Sequence, residues 1–406
     1  MDVKNAFLQG ELKEEVYMTP PPGLEDMIAP GKVLRLWKAI YGLKQSPRAW
    51  YHKLSSTLIG YGFKRTHSDN SLFTHQSDKG IMVVLVYVDD LIISRDNQEG
   101  IKDIKAHLNS VFDIKDLGEL KYFLGIEVCR SPEGLFLSQR KYTLDLLCET
   151  GMLGAKPVDT PLPDGYQVER KGERNDPPYE DPSRYRRLVG KLIYLTLTRP
   201  DICYAVNQVS QYMKAPTTYH WSLLQRILHY LKKSPGQGIW MGKNDNTELV
   251  GYCDADWGGD RTDRRSVTGY CTFIGGNQVT WKTKKQKVVS MSSAESEYRA
   301  MRKLTTELTW LKALLEELGI KPSTPIPMHC DNEAAIHIAT NSVFHERTKH
   351  IELDCHKVRE KIEEGVTLPY HTPSVDQLAD ILTKAACRKV CDHIHPKLGL
   401  VDLTHP

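Results

Sequence analysis

The sequence lacks the features that would place it in a membrane or in an oxidising compartment. No apolar run approaches the roughly 20 residues that a transmembrane helix needs, and no basic-then-apolar stretch opens the chain. The nine cysteines are an odd number and none belongs to a Cys-x-x-Cys pair, which favours free thiols. We therefore predict an intracellular protein, cytoplasmic or nuclear, that is neither secreted nor held in a membrane.

The chain also has little net charge. Its 54 basic and 51 acidic residues give a formal charge of +3, which neither requires nor excludes a nucleic-acid partner, because a local basic patch matters more than the total. A hydrophobic content of 40% is typical of globular proteins. Because 406 residues exceed what one hydrophobic core usually holds, we expect two or three domains.

Two adjacent carboxylates follow an apolar run in the first part of the chain. The segment 81–88 reads IMVVLVYV, which predicts a buried strand, and Asp89 and Asp90 end it. Paired carboxylates at a hairpin tip suit a divalent metal, and phosphoryl transfer commonly uses two such ions. An ordinary turn is the alternative interpretation of these four residues taken alone.

Acidic residues also end or begin several elements after residue 247. The strand LVGYCDAD places Asp254 and Asp256 on one face, because strand side chains repeat every two residues. In the helix that follows, Glu297 lines up with the buried stripe of Met301 and Leu304, whereas Glu295 is expected to point to solvent. An acid at the inward end of an apolar stripe suggests a metal ligand.

Two further acids complete this set. Asp331 follows a strand over 325–330, although Asp331 or Asn332 could simply cap the next helix. Ser374 is predicted to cap a helix that carries both Asp376 and Asp380. Spacing alone does not choose between Asp254 and Asp256, or between Asp380 and Asp376.

Eight motifs in order resemble one protein family, the copia-type Pol polyproteins of LTR retrotransposons. Four are similar to reverse transcriptase motifs and four to ribonuclease H motifs. They are DVKNAF at 2–7, YGLKQSPRAW at 41–50, YVDD at 87–90, LGELKYFLGI at 117–126, DADWGGD at 254–260, SSAESEY at 292–298, HCDNEAA at 329–335 and DQLADILTK at 376–384.

The resemblance implies roles in the reverse transcriptase half. Asp2 and Asp89 would be the principal metal ligands, with Asp90 beside them, and Phe7 would be the gate that excludes the ribose 2′-OH. The nucleic-acid contacts implied are Lys44, Gln45, Ser46 and Arg48. Trp50 could stack on a base, but packing in the core is the favoured interpretation.

The resemblance implies a second site in the ribonuclease H half. Its metal ligands would be Asp254, Glu297, Asp331 and Asp380, holding two Mg²⁺ or Mn²⁺ ions, as in the polymerase site. The expected partners are an RNA–DNA hybrid, an RNA template and a DNA primer; protein partners are not predicted. Lys284 and Lys285 are candidate phosphate contacts, although a solvated face is an equal alternative. His371 could assist proton transfer or be a surface histidine.

The predicted fold is a multidomain α+β and α/β protein. It comprises a truncated, ferredoxin-like reverse transcriptase palm with a helical thumb and connector, then a ribonuclease H-like mixed sheet flanked by helices. The expected divisions are a palm at 1–128, a primer-grip hairpin and thumb helix at 129–165, a linker and helical connection at 166–245, the ribonuclease H-like domain at 246–388 and a tail at 389–406.

The expected function is RNA cleavage in RNA–DNA hybrids, with impaired DNA synthesis. The impairment is expected because the fingers and the first palm strand would lie before Asp2, and a metal ligand on a frayed terminus is not preorganised. The alternative is a binding-only relic that keeps the fold without catalysis. An integrase of related fold fits less well, since it leaves the YVDD segment unexplained.

Overall fold

The computed structural model describes residues 1–24, 27–29, 31–78, 80–95, 99–168, 172–341 and 352–403. The chain divides into two compact units. The first consists of Met1–Leu120 with Ala313–Ile320, and the second of Lys121–Lys312 with Lys321–Pro406. The whole is a mixed α/β structure with several antiparallel sheets, as the sequence predicts at this coarse level.

The first unit is built on a six-stranded sheet with the order β4-β5-β6-β7-β1-β8, beside a two-stranded ribbon of β2 and β3. The predicted apolar strand is confirmed as β6. The elements are β1 Asp2–Val3, α1 Ala6–Gln9, β2 Glu11–Met18, β3 Leu34–Lys38, α2 Ser46–Tyr61, β4 Lys64–Arg65, β5 Leu72–Ser77, β6 Gly80–Tyr87, β7 Asp90–Arg95, α3 Glu99–Val111 and β8 Ile114–Lys115.

Helices α2 and α3 supply much of the core of this unit. Leu54 and Leu58 on α2 lie at the spacing of one helix face, as do Ile104 and Leu108 on α3, and all four are fully buried. Fully burying one such side chain stabilises the fold by about 1.5–3 kcal/mol. Aspartate and asparagine are preferred as helix N-caps, so the sequence predicts Asp96 or Asn97 as the cap of α3. Both residues lie outside the described residues.

The second unit begins with a five-stranded antiparallel sheet in the order β18-β12-β11-β10-β9. The segment GIEVCRSPEGLFLSQ at 125–139 predicts a hairpin with Pro132 and Gly134 in its turn, and β10 and β11 confirm it. The elements are β9 Tyr122–Phe123, β10 Ile126–Ser131, β11 Gly134–Ser138, α4 Arg140–Glu149, β12 Gln237–Gly242, α11 Arg388–Ile394 and β18 Leu400–Asp402. We expected residues 389–406 to form a tail. They hold most of helix α11 and strand β18, and Leu400 of β18 pairs with Ile239 of β12.

A helical layer comprises α5 Pro182–Leu195, α6 Cys203–Ser210 and α7 Thr218–Lys233. Within the connection, the sequence predicts a helical pattern over 185–213. The structure interrupts it near Arg199, whose side chain is buried against Asp201 with Nη2 and Oδ2 2.7 Å apart. The proline, glycine and charged residues of 159–182 predict an exposed linker. The stretch is instead partly buried, since Leu162, Val168 and Tyr179 have little exposed surface.

A second five-stranded sheet, this one mixed, has the order β15-β14-β13-β16-β17, with β13, β16 and β17 parallel. The predicted strands and long helix here are confirmed. The elements are β13 Leu249–Asp256, β14 Val267–Ile274, β15 Asn277–Lys285, α8 Ser293–Glu317, β16 Ile326–Cys330, α9 Glu333–Thr340, α10 Glu352–Glu363 and β17 Thr367–His371.

The prediction of a helix after Ser374 is wrong. Two short 3₁₀ turns, Ser374–Asp376 and Asp380–Leu382, take its place. Almost every residue from 377 to 383 is buried, whereas an amphipathic helix buries one stripe. The segment therefore winds irregularly through the interior, and this brings Asp380 toward the mixed sheet.

Candidate active sites

Three aspartates meet where the neighbouring inner strands β1 and β7 of the six-stranded sheet begin. The register of β1 and β7 pairs Asp2 with Asp90, so their side chains lie on the same face. The amide of Val3 donates to the carbonyl of Asp89 at 2.8 Å. Burial raises the pKa of Asp90, and the carboxylates of Asp89 and Asp2 raise it further. A divalent cation would relieve this repulsion, so the three residues fit a metal site.

The hairpin that carries Asp89 and Asp90 has a tight tip. Val88 adopts the left-handed conformation with φ of 52°, which is costly for a β-branched residue. The indole Nε1 of Trp50 donates to the carbonyl of Val88 at 2.6 Å. Trp50 is itself buried against Phe112, as the favoured interpretation of this residue has it.

The other candidates in the first unit differ in exposure. Phe7 is half-buried, and its ring lies 4.9 Å from that of Tyr41. Lys44 and Arg48 are exposed and can reach a phosphate, and Gln45 is half-buried. Ser46 is buried and its hydroxyl donates to the carbonyl of Ile40 at 2.6 Å, so it supports the start of α2. The nucleic-acid contact implied for Ser46 stays a prediction.

The second site lies at the ends of the central strands of the mixed sheet. Asp254 is on β13 and Asp331 directly follows β16, which is parallel to it. Glu297 projects from the first turns of α8, and its Oε1 accepts from the amide of Ala255 at 3.1 Å. Asn332 caps α9 by accepting from Ala335, so Asp331 is not needed as the cap.

The acids of this cluster raise one another's pKa values. Burial, together with the charge of Asp380, raises the pKa of Asp254 to about 7. Burial, together with Asp254, Cys330 and Asp331, raises the pKa of Glu297 to about 11. Both side chains are only 3% exposed. Buried carboxylates that raise one another's pKa are the groups that metal ions stabilise in their ionised form.

A lysine and a threonine that the motif analysis did not select also contact this cluster. Lys384 Nζ lies 2.6 Å from Asp380 Oδ1, and the hydroxyl of Thr383 donates to Asp254 Oδ2. Burial alone would lower the pKa of Lys384, but Asp254 and Asp380 raise it. The spacing of four residues between Asp380 and Lys384 was a usable signal. This ammonium partly balances the acids, as a metal ion would.

The rival acids occupy different surroundings. Asp376 is exposed and its Oδ1 lies 2.8 Å from Lys397 Nζ, so it pairs with the C-terminal segment. Burial raises the pKa of Asp256, and Asp380 raises it further while Lys384 opposes them, which places Asp256 at the margin of the cluster. Glu295, expected in solvent, is buried: its carboxylate accepts from Met291 N at 2.7 Å and pairs with Arg299.

The predicted basic contacts near this site are not equivalent. Lys284 is exposed, whereas Lys285 lies 2.9 Å from Asp263 and also pairs with Asp260. His371 is exposed at the end of β17. A cleft of about 390 Å³ adjoins the cluster. It is lined by Tyr166, Gln167, Val168, Tyr204, Asp256, Gly258, Gly259, Arg261, Arg264 and Lys384.

Comparisons with known proteins give the family. The profile of the family "Reverse transcriptase (RNA-dependent DNA polymerase)" matches residues 1–164. The Pol polyprotein of transposon RE2 from Arabidopsis thaliana is 46% identical over 401 residues, 99% of this chain. The Ty5-1 transposon protein YCL074W of Saccharomyces cerevisiae is 32% identical over 301 residues, 73% of this chain and 97% of that protein. The chain belongs to the copia-type retrotransposon Pol family.

A third Pol polyprotein, of transposon RE1 from Arabidopsis thaliana, is 45% identical over 98% of the chain. The chain spans 27% of the length of the RE1 and RE2 polyproteins. Within the described residues, no helix combines the length and apolarity that crossing a membrane requires.

Proposed function

We propose that the second unit is a ribonuclease H-like nuclease that cleaves the RNA strand of RNA–DNA hybrids. The observation that carries this proposal is the convergence of Asp254, Glu297, Asp331 and Asp380. Burial raises the pKa values of Asp254, Glu297 and Asp380, and the charge of Asp331 raises them further. The four acids come from a strand, a helix, a strand end and a turn. Such convergence of buried acids needs a compensating cation.

The carboxylates would hold two divalent ions, which activate the attacking water and stabilise the leaving oxygen. Asp254 and Glu297 are held in place, by Thr383 and by the amide of Ala255, before any ion binds. Asp331 is held by the hydroxyl of Ser374 at 2.7 Å. Positioning of this kind supports catalysis, since the ligands need little rearrangement when substrate arrives.

The adjoining cleft would accept the nucleic acid. Arg261 and Arg264 supply positive charge to its wall, and Lys384 lies between it and the carboxylates. Backbone phosphates suit such a surface, whereas the RNA strand would be distinguished by its 2′-OH. Lys284 remains a candidate contact with the hybrid, and Lys285 is occupied by Asp260 and Asp263.

The test is hydrolysis of a labelled RNA–DNA hybrid by the full chain in Mg²⁺. Wild type is expected to cleave the RNA strand, and Asp331→Asn to lose the activity. Asp376→Asn is the matched control, since Asp376 pairs with Lys397 away from the cluster. Absence of cleavage by folded wild type would overturn the proposal and favour the alternative of a binding-only relic.

We further propose that the first unit contains an RNA-directed DNA polymerase site, formed by Asp2, Asp89 and Asp90. The family profile over residues 1–164 and the shared face of Asp2 and Asp90 support this function. Primer extension on an RNA template tests it, and loss of synthesis in Asp90→Asn is expected. The impairment of synthesis stays a prediction, and a robust extension rate would contradict it.

A further inference from the structure

Two cysteines immediately precede two of the nuclease carboxylates. Cys253 comes before Asp254 in β13, and Cys330 comes before Asp331 at the end of β16. The register of these parallel strands puts the cysteines side by side. Both are fully buried, and the thiol of Cys253 donates to the carbonyl of His329 at 3.7 Å. Sulfur therefore lies directly beneath the carboxylate cluster.

Cys330 also reaches the carboxylates themselves. Its Sγ lies 3.9 Å from Glu297 Oε2, and the ligand atoms of Glu297, Cys330 and Asp331 are all within 4.8 Å of one another. A tetrahedral ion with sulfur at about 2.3 Å and oxygen at about 2.1 Å places these two ligand atoms about 3.6 Å apart. The observed separation would have to shorten by only about 0.3 Å to meet that geometry.

The ligand types decide which ion this geometry favours. Mg²⁺ prefers an octahedral shell of oxygen atoms and binds sulfur poorly. One thiolate with two carboxylates and an open fourth position suits Zn²⁺ or the softer Cd²⁺. The protons of the Cys330 thiol and of the buried Glu297 carboxyl would both be released to solvent when the ion binds. Glu297 and Asp331 are shared with the proposed magnesium centre, so the two occupancies exclude each other.

We propose that Cys330, Glu297 and Asp331 form a binding site for a thiophilic divalent cation of the Zn²⁺ class, which blocks the magnesium centre when it is occupied. The binding is independent of catalysis. Only the blocking consequence rests on the proposed nuclease function.

The first experiment titrates the full chain with Cd²⁺ and records the ultraviolet sulfur-to-cadmium charge-transfer absorbance. Cys330→Ser is compared with wild type and with Cys271→Ser, a buried cysteine of β14 outside the cluster. In Cys330→Ser, the charge-transfer absorbance that appears at the lowest Cd²⁺ concentrations in wild type is expected to be lost. The Kd for Cd²⁺ at this site is expected to rise roughly 10-fold or more. Cys271→Ser should match wild type. Equal titrations of Cys330→Ser and wild type would overturn the site.

A second measurement needs no variant and so is unaffected by any folding defect of Cys330→Ser. X-ray absorption of wild type with less than one equivalent of Zn²⁺ is expected to show one sulfur at about 2.3 Å among oxygen neighbours. A shell without sulfur, or one of several sulfurs, would contradict the assignment.

The blocking consequence is tested by adding Zn²⁺ to hybrid cleavage in Mg²⁺, with each rate divided by that protein's own rate in Mg²⁺ alone. Wild type and Cys271→Ser are expected to lose cleavage at a Zn²⁺ concentration roughly 10-fold below that needed for Cys330→Ser. Equal inhibition overturns the blocking role. If no form cleaves the hybrid, the nuclease proposal fails, while the Cd²⁺ titration still decides the metal site.

Discussion

The indole of Trp50 joins helix α2 to the hairpin tip of the first unit. Its ring packs at 5.2 Å from Phe112, and its Nε1 donates to Val88, the residue before Asp89. The hydrogen bond supports a residue with an unfavourable positive φ. A buried residue therefore helps to set the position of an acid at the candidate site.

Replacing Trp50 by Phe tests this support. The variant keeps an aromatic ring but leaves the carbonyl of Val88 without this donor, so the free energy of unfolding is expected to fall by about 1–2 kcal/mol. Urea denaturation measures the change. Trp37→Phe is the control, because Trp37 is 69% exposed on β3, and it should alter stability by less than about 0.5 kcal/mol. Equal effects of the two variants would contradict the role of the hydrogen bond.

The sequence pattern predicted the orientation of some acidic side chains and not of others. The apolar stripe of α8 correctly predicted that Glu297 faces inward. The same pattern failed for Glu295, because its carboxylate accepts from the free amide of Met291 near the helix start and pairs with Arg299. The spacing of apolar residues along a helix does not reveal which backbone amides near its start need a side-chain acceptor. Lys384 lies four residues after Asp380, which is a local signal, but its place beside Asp254 depends on the fold of 377–383.

At the scale of elements, a buried ion pair holds the helical layer of the second unit together. Arg199 contacts Asp201, whose Oδ2 also accepts from the hydroxyl of Tyr230 on α7 at 2.7 Å. The carbonyl of Ser234 accepts from Arg199 Nη1 at 3.0 Å. This network occupies the break between α5 and α6, where the sequence predicted continuous helical pattern.

Arg199→Met is expected to lower the free energy of unfolding by about 3–5 kcal/mol, because Asp201 would remain buried without its partner. Arg187→Met is the control. Arg187 pairs with Glu149 while more than half exposed, and exposed pairs contribute about 0–1 kcal/mol. Guanidinium denaturation compares the two variants. A loss for Arg199→Met as small as that of the control would contradict the account of this network.

The start of α7 gives a pH prediction. His220 forms a capping box with Thr217, and burial lowers its pKa from 6.5 to about 4. Because the unfolded chain binds a proton more readily than the folded one, the neutral histidine stabilises the fold above pH 6.5, and this contribution is lost as pH falls toward 4.

The measurement is the free energy of unfolding at pH 7 and at pH 5 for wild type and His220→Gln. Glutamine can accept the same capping hydrogen bond but does not titrate. Wild type is therefore expected to lose more stability than the variant over this interval. An identical pH dependence in both proteins would show that His220 does not make this contribution.

Strand and helix positions were largely predictable because hydrophobic periodicity is a local property. The strands β6, β13 and β16 and the helix α8 were all predicted. The two 3₁₀ turns around Asp380 and the pairing of β18 with β12 were not. Both depend on tertiary burial and on partners more than 100 residues away, which a short window of sequence does not contain.

At the scale of the whole molecule, the chain carries two clusters of acids in two compact units. Asp2, Asp89 and Asp90 lie in the first unit, and Asp254, Glu297, Asp331 and Asp380 in the second. The five sequence divisions, the assignment of residue roles and the intracellular location stay predictions. The family membership is confirmed by the relatives.

The two proposed activities should be separable by single substitutions. Asp89→Asn is expected to lower primer extension by roughly 100-fold or more while hybrid cleavage stays within about twofold. Asp254→Asn should have the opposite profile. Both assays are run on the same full-length preparations. Loss of both activities in each folded variant would show that the sites are not independent.

Binding of Mn²⁺, followed by the loss of the free-ion electron paramagnetic resonance signal, tests the central claim that the four acids of the second unit form a metal centre. Wild type is compared with Asp254→Asn and with Asp376→Asn, whose acid pairs with Lys397. We predict that Asp254→Asn binds about two fewer ions per chain, and that Asp376→Asn matches wild type. Undiminished binding by Asp254→Asn would contradict the account.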